Sequence, residues 1–393
     1  MLRIRTAGHP QNVRCAVVGI VSRTPLPEIR RGDHILVTTE VPSDLAGYSA
    51  VLTSEGPQDC TTPVVFAPRE IDHLSDGDII VIEPNGFVRT LYRPASPHNI
   101  IFATEQCNHR CLMCSQPPKE RDDRAALTER NLKLISLIQQ APCQLTITGG
   151  EPTLLGEGLS AILKSLRDKF PTTHVHILTN GRAFASPTLT SQIADLNHPD
   201  LCMGIPLYSD DAAIHDYVVQ ARGAFVETIA GLHQLARYGI RSEVRVVLHR
   251  ITIPRLHELA EYIYRNLTFV EHIALMVMEH VGFATQNMGQ LWIDPYDYQE
   301  NLEEAVEFLS ARMMNVSIYN HPLCLLRRSL WKFAKKSISD WKNIYIAECE
   351  NCKLQAQCAG FFQWETKFRS SRIHAITGPC VSATLSGNVH ISA

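Results

Sequence analysis

The sequence predicts an α/β fold: a six-unit partial (β/α) barrel, preceded by a small N-terminal β-domain and followed by a cysteine-rich C-terminal extension. Three observations carry this. Strand-like and helix-like runs alternate from residue 98 to residue 278, residues 1–95 hold only strand-like runs, and two tight cysteine clusters occupy 107–114 and 349–358. Such alternation implies parallel strands joined by right-handed crossovers. Six units in about 200 residues are too few for a complete eight-unit barrel.

Within 1–95, apolar or alternating runs recur at Arg14–Val21, His34–Thr38, Pro63–Phe66, Asp78–Glu83 and Phe87–Tyr92. The last two flank Pro84-Asn85-Gly86, a hairpin signal because Asn and Gly tolerate positive φ. The Pro94–Pro97 stretch closes this domain. Barrel strands are expected at Asn99–Thr104, Gln144–Thr148, His174–Thr179, Leu201–Leu207, Arg241–Leu248 and His272–Met278. Helices are expected over 127–140, 157–169, 187–195, 223–238 and 254–266. Leu132, Ile135 and Ile138 form one apolar stripe and Ile229, Leu232 and Leu235 another, while Pro254 suits the first turn of a helix. A further amphipathic helix over 297–312 opens the C-terminal part. The expected domains are thus 1–95, 96–295 and 296–393. A short tail with five cysteines needs a metal staple to fold.

Composition excludes several classes. Of 393 residues, 45% are hydrophobic and 20% charged, which is too apolar for a disordered chain. A net charge of −3 gives no basic field for nucleic acid or an anionic membrane. No apolar run approaches the roughly 18 residues of a membrane helix, and the first 30 residues carry no secretion signal. The expectation is a cytoplasmic chain. In a reducing compartment its 12 cysteines point to metal sooner than to disulfides.

Cys107, Cys111 and Cys114 lie in CNHRCLMC, a Cys-x3-Cys-x2-Cys run directly after the first barrel strand. Active sites of α/β barrels lie at the C-terminal ends of the strands. Three thiolates on one loop can ligate three irons of a [4Fe–4S] cube and leave the fourth iron open. The alternative is a closed zinc site, which wants four ligands. Here His109 would be a poor fourth, folded back on its own loop. Thr148-Gly149-Gly150-Glu151-Pro152 ends the second strand, with glycines that let backbone approach a ligand closely and a carboxylate for a cationic amino group. Thr179-Asn180-Gly181 ends the third with polar donors.

Cys349, Cys352 and Cys358 form Cys-x2-Cys-x5-Cys, with Cys324 before them and Cys380 after. Taken alone this cluster suits zinc. Cys15, Cys60, Cys143 and Cys202 stand alone and read as ordinary buried thiols. His215-Asp216 suggests a general base, or the opening of a helix near the barrel mouth.

Cys-x3-Cys-x2-Cys followed by Gly-Gly-Glu-Pro on the next strand resembles the radical S-adenosylmethionine (SAM) superfamily over residues 100–280. The resemblance implies that Cys107, Cys111 and Cys114 hold a [4Fe–4S] cluster whose open iron is chelated by SAM. It further implies that Glu151 binds the SAM amino group, that Gly149 and Gly150 shape the contact, and that Asn180 reaches the ribose or carboxylate. One-electron cleavage then gives a 5′-deoxyadenosyl radical that abstracts hydrogen from substrate. The residue before the last cysteine is often aromatic in this superfamily and packs on adenine. Here it is Met113, which either keeps that role through its polarizable sulfur or is plain apolar cover.

Behind such a core, the second cluster resembles the SPASM/twitch extension, which carries auxiliary [4Fe–4S] clusters. The full extension has another cysteine four residues after the third. Here that position is Phe362, which argues for one auxiliary cluster. By the same resemblance its fourth ligand comes from downstream, which favours Cys380 over Cys324.

CLMCSQPP (111–118), IPLYSDDAAIHD (205–216), YNHPLC (319–324), SISDWKN (337–343) and CAGFF (358–362) together resemble the HxsC-type maturases of the His-Xaa-Ser repeat peptide system. That resemblance implies a ribosomally made substrate peptide with His-Xaa-Ser repeats, a sister radical SAM maturase, and a reductase or flavodoxin-type electron donor. The β-domain would then dock the peptide by adding a strand to an open sheet edge. The competing readings are a radical SAM enzyme acting on a small-molecule cofactor precursor, and a non-catalytic iron–sulfur or zinc binding module. Glu151 beside an open-site cluster argues against the module.

Overall fold

The computed structural model describes residues 5–56, 60–66, 71–336, 343–363 and 368–378. The chain divides into two compact units. The first comprises Met1–Phe102, Arg124–Thr146 and Glu157–Thr173, and the second Ala103–Asp123, Ile147–Gly156 and His174–Ala393.

In the first unit, eight strands form one sheet: β1 (Arg5–Ala7), β2 (His9–Gln11), β3 (Val17–Ser22), β4 (His34–Thr38), β5 (Ala50–Thr53), β6 (Val64–Phe66), β7 (Ile79–Ile82) and β8 (Phe87–Tyr92). Their order is β1-β8-β7-β3-β4-β5-β6-β2. The expected hairpin joins β7 to β8, with Ile82 opposite Val88. Gly86 has φ +79°, and the Asn85 side chain accepts the Phe87 N–H at 3.1 Å. Strands β3 to β6 run parallel. Ile35 and Leu36 of β4 enter two different apolar cores, so this strand is buried on both faces and reads as a continuous apolar run. Strands β1, β2 and β5 escape sequence reading because three or four residues show no period. The unit also holds β9 (Asn99–Phe102), α1 (Arg124–Leu137) and α2 (Glu157–Lys169). Helix α1 is tied in by Asn131, which donates to the Phe102 carbonyl at 2.9 Å, and by a 2.7 Å ion pair between Lys133 and Asp33.

The second unit is a parallel α/β array. Strands β11 (His174–Leu178), β12 (Leu201–Pro206), β13 (Arg241–Leu248) and β14 (His272–Val277) pair in chain order. The preceding strand, β10 (Gln144–Thr148), contributes its last two residues to this unit. Helices α3 (Pro187–Asp195), α5 (Ala224–Arg237) and α6 (Leu256–Asn266) lie between the strands, close to where periodicity predicts them.

The sheet does not stop at the sixth predicted strand. After α8 (Gln299–Ala311), β15 (Val316–Tyr319) adds in parallel to β14, and β16 (Ala334–Lys335) adds to β15. Val-Ser-Ile-Tyr is too short to announce itself, so the βα repeat runs past the six units expected. Helices α4 (Ala212–Val219) and α7 (Phe283–Leu291) complete the unit.

One face of the sheet, with Val246, Ile273 and Leu275, packs on apolar residues of α6 and α8. The alternation of a strand puts Glu243, Arg245 and His272 on the opposite face. No helix among the described residues is long and apolar enough to cross a membrane. Of the four isolated cysteines only Cys202 is buried. Cys60 is half-buried, and Cys15 and Cys143 are exposed, because both fall in turns just before a strand.

Candidate active site

The three-cysteine loop is fixed at both ends and along its length. At its start, the Thr104 hydroxyl donates to one Asp123 oxygen at 2.6 Å and the Glu105 N–H to the other at 2.9 Å. Along the loop, the Arg110 and Leu112 N–H groups donate to the carbonyls of Val219 and Val218 at the end of α4. Asn287 of α7 donates to the Leu112 carbonyl at 2.9 Å, and the Phe283 N–H to the Cys114 carbonyl at 2.8 Å. Gly282, with φ +61°, makes that last approach possible. A Cβ there would lie 2.3 Å from the Cys114 oxygen.

Gly149 and Gly150 bring this loop against the end of β10. The Ala103 N–H donates to Thr148, Gly150 to Thr104, and Glu151 to Gln106, at 2.7, 2.7 and 2.8 Å. A Cβ on Gly149 (φ +141°) would lie 2.6 Å from the Thr104 oxygen, and one on Gly150 would lie 1.9 Å from the Gln106 oxygen. The close approach that sequence reading assigned to a ligand is made here by the cysteine loop itself.

Glu151 is buried and joins three strand ends. Its Oε1 accepts the Thr153 N–H at 3.0 Å and the Thr153 and Thr179 hydroxyls at 2.7 Å each. Its Oε2 accepts the Asn180 N–H at 2.7 Å, and a carboxylate oxygen with one donor keeps a lone pair for another. Asn180 in turn donates to the Asn108 side chain at 2.6 Å, inside the cysteine motif. The predicted residues Cys107, Gly149, Gly150, Glu151 and Asn180 therefore form one connected site. Met113 is buried in an apolar cluster with Leu112, Tyr208, Val218 and Met288, a packing that favours its role as apolar cover.

The thiols sit where bare thiolates are costly. Burial pushes Cys107 up to about 11, against the lowering effect of the His109 N–H, and burial raises Cys111 and Cys114 as well. Soft donors in a buried loop, with no cation among the groups that favour their thiolates, fit a metal centre, whose charge supplies the counter-ion. Among the described residues, no three His, Cys, Asp or Glu side chains converge as ligands of one ion. Tyr208 lies against this loop, its hydroxyl pushed well up by burial and by Cys111 and Cys114. Its ring stacks on His215 at 5.8 Å and tilts toward His249 at 6.3 Å. Burial pushes these imidazoles down, to about 4 and about 3, so both are neutral.

The second cysteine cluster gathers its own members. Burial pushes Cys324 up to about 11, opposed by the His374 N–H, with Cys358 and Cys349 adding to the rise. Cys358 is raised by burial, with Cys349 and Cys352 as further contributors. The Cys358 sulfur accepts the Leu323 and Gly360 N–H groups at 3.4 Å each, and the Cys352 sulfur accepts Ile376 at 3.5 Å. Cys324, Cys349, Cys352 and Cys358 are thus electrostatic neighbours. Cys380 lies outside the described residues.

His215-Asp216 does not make a base pair of catalytic type. Asp211 caps α4 by accepting the Ile214 N–H at 3.0 Å. Asp216 accepts the N–H groups of Gly223 and Phe225 at 2.5 and 2.8 Å, which anchors the start of α5.

Sequence reading missed a polar ladder across β13, β14 and β15. The Glu243 Oε2 pairs with His272 Nδ1 at 2.6 Å, and His272 Nε2 meets the Ser317 hydroxyl at 3.0 Å. Burial favours the neutral carboxyl of Glu243, but Arg245 and the His272 ring outweigh it and hold the group below the usual carboxylate range. The order resembles a hydrolytic triad, yet all three residues are buried, so it staples strands.

Residues 101–263 match the radical SAM superfamily. The match spans less than half of the chain. The superfamily implies a [4Fe–4S] cluster and SAM, and the thiols within the matched residues meet the fit described above. Over 46% of its length, the chain is 24% identical to an uncharacterized protein of Methanocaldococcus jannaschii, 66% of which is spanned. Among solved structures it is similar to Streptococcus suis SuiB bound to S-adenosylmethionine, at 14% identity and a TM-score of 0.44, over 58% of this chain and 50% of SuiB. It is also similar to coproporphyrinogen III oxidase (HemN) from Escherichia coli, at 16% identity and a TM-score of 0.43, over 56% and 54% of the two chains. The chain thus spans about half the length of these structures.

Proposed function

We propose that the chain is a radical SAM peptide maturase acting in the cytoplasm on a ribosomally made peptide with His-Xaa-Ser repeats, beside a sister maturase and a reductase or flavodoxin-type electron donor. The observation that carries the radical SAM part is the joining of Gly149-Gly150-Glu151 to the three-cysteine loop through the Gln106 carbonyl and the Glu151 carboxylate. The peptide class rests on the resemblance of the flanking segments.

In this reading Cys107, Cys111 and Cys114 hold the core cluster. The free lone pair of Glu151 Oε2 receives the amino group of SAM, and Asn180 orients the site from the Asn108 side. Once bound, the cluster and SAM supply one-electron cleavage of the sulfonium and hydrogen abstraction. The chain's own part is to hold the thiolates, exclude water and aim the amino group. Cys324, Cys349, Cys352 and Cys358 hold an auxiliary cluster, and an edge of the N-terminal sheet, β1 or β2, receives the peptide as an added strand.

The test is coexpression of a His-Xaa-Ser repeat peptide with this chain and its sister, followed by mass spectrometry. A mass change is expected with the native chain and not with Cys107→Ala. A peptide of unchanged mass in both would remove the peptide assignment.

A further inference from the structure

His109 lies inside the cysteine motif and is buried, yet no ligand role suits it. Its backbone N–H donates to the Cys107 sulfur at 3.4 Å. Its ring Nδ1 stands 3.9 Å from the Cys111 sulfur. Its Nε2 is buried without a partner among the described residues. One residue thus addresses two of the three thiols.

A cysteine that ligates iron has lost its proton and can only accept. Of the two neutral tautomers, the one protonated at Nδ1 then has an acceptor within reach, and the other does not. Hydrogen bonds to cluster sulfurs withdraw electron density and favour the reduced, more negative state, one of the levers a protein has over reduction potential.

We infer that His109 is a positioning residue that raises the reduction potential of the core cluster, through an Nδ1–H···S hydrogen bond to Cys111 added to its own backbone bond to Cys107. This rests on the proposed cluster assignment. Removing the ring donor makes the cluster about tenfold harder to reduce, which for one electron is about 59 mV.

The test is an EPR-monitored redox titration of the full-length reconstituted protein, followed on the signal that changes when SAM is added. His109→Phe is expected to lower that midpoint by about 59 mV. His109→Asn, whose amide nitrogen takes the position of Nδ1, is expected to restore most of it. An unchanged midpoint in His109→Phe overturns the inference. Pulsed EPR of the native protein, labelled with 15N at histidine Nδ1, reads the same bond without a substitution. Coupling to the reduced cluster is expected, and its absence likewise overturns the inference. If the native protein gives no SAM-responsive cluster signal, the cluster assignment itself fails.

Discussion

The carbonyl oxygen of Gln106 passes over Gly150 so closely that a Cβ there would lie 1.9 Å from it. The contact is backbone on backbone, so no side chain can rotate away to make room. Gly150→Ala should therefore push back the start of the cysteine loop, at the typical overpacking cost of about 1–3 kcal/mol. The expected outcome is a lower melting temperature and less bound iron. A variant that keeps both would show that the loop accommodates the methyl.

Glu151 is saturated on one oxygen and half-occupied on the other. Glu151→Gln replaces an acceptor with a donor that faces N–H and O–H groups. Each donor left unpaired costs about 1–3 kcal/mol. The variant should lose thermal stability and also bind SAM about ten- to a hundredfold more weakly, since a charge-assisted bond is lost. Calorimetry of binding beside a melting curve separates the two effects. Thr179→Val, which deletes one donor and leaves the charge, should lower stability by about 1 kcal/mol and bind SAM almost normally.

Cys324→Ala should remove the auxiliary iron, about four atoms for a cube, and leave SAM-dependent signals of the core cluster intact. Iron analysis and EPR decide this. Retention of all iron would transfer the fourth ligand to another residue, Cys380 being the alternative that the sequence suggests.

Asp216→Ala should behave as the loss of a helix cap, costing about 1–2 kcal/mol of stability with SAM cleavage preserved. Loss of turnover in a fully folded variant would restore the general-base reading of His215-Asp216.

The elements legible in sequence are those with a period or a turn signal. The Asn85-Gly86 hairpin, the alternating strands from β9 to β14 and the amphipathic helices all announce themselves within a dozen residues. So do the three-cysteine run and Gly-Gly-Glu-Pro, because spacing alone carries them. What stayed hidden depends on partners distant along the chain. Asn287 reaches Leu112 across 175 positions, Gly282 makes room for Cys114, and Glu243, His272 and Ser317 assemble only when three strands come into register. The glycines of Gly-Gly-Glu were legible as sites of close approach, but only the packing reveals that the approaching group is the cysteine loop. The N-terminal boundary shows the same limit. Lys133 of helix α1 pairs with Asp33, so a cut at residue 95 strips the helix of a partner that no composition shift reveals.

If the thiols, Glu151 and the strand ends form a site for radical SAM chemistry, the fate of SAM reveals it. Anaerobically reconstituted and reduced protein is incubated with SAM, and 5′-deoxyadenosine and methionine are measured by chromatography and mass spectrometry. Both products are expected in equal amounts from the native chain and neither from Cys107→Ala. A folded, iron-loaded and reduced native chain that leaves SAM intact would contradict it.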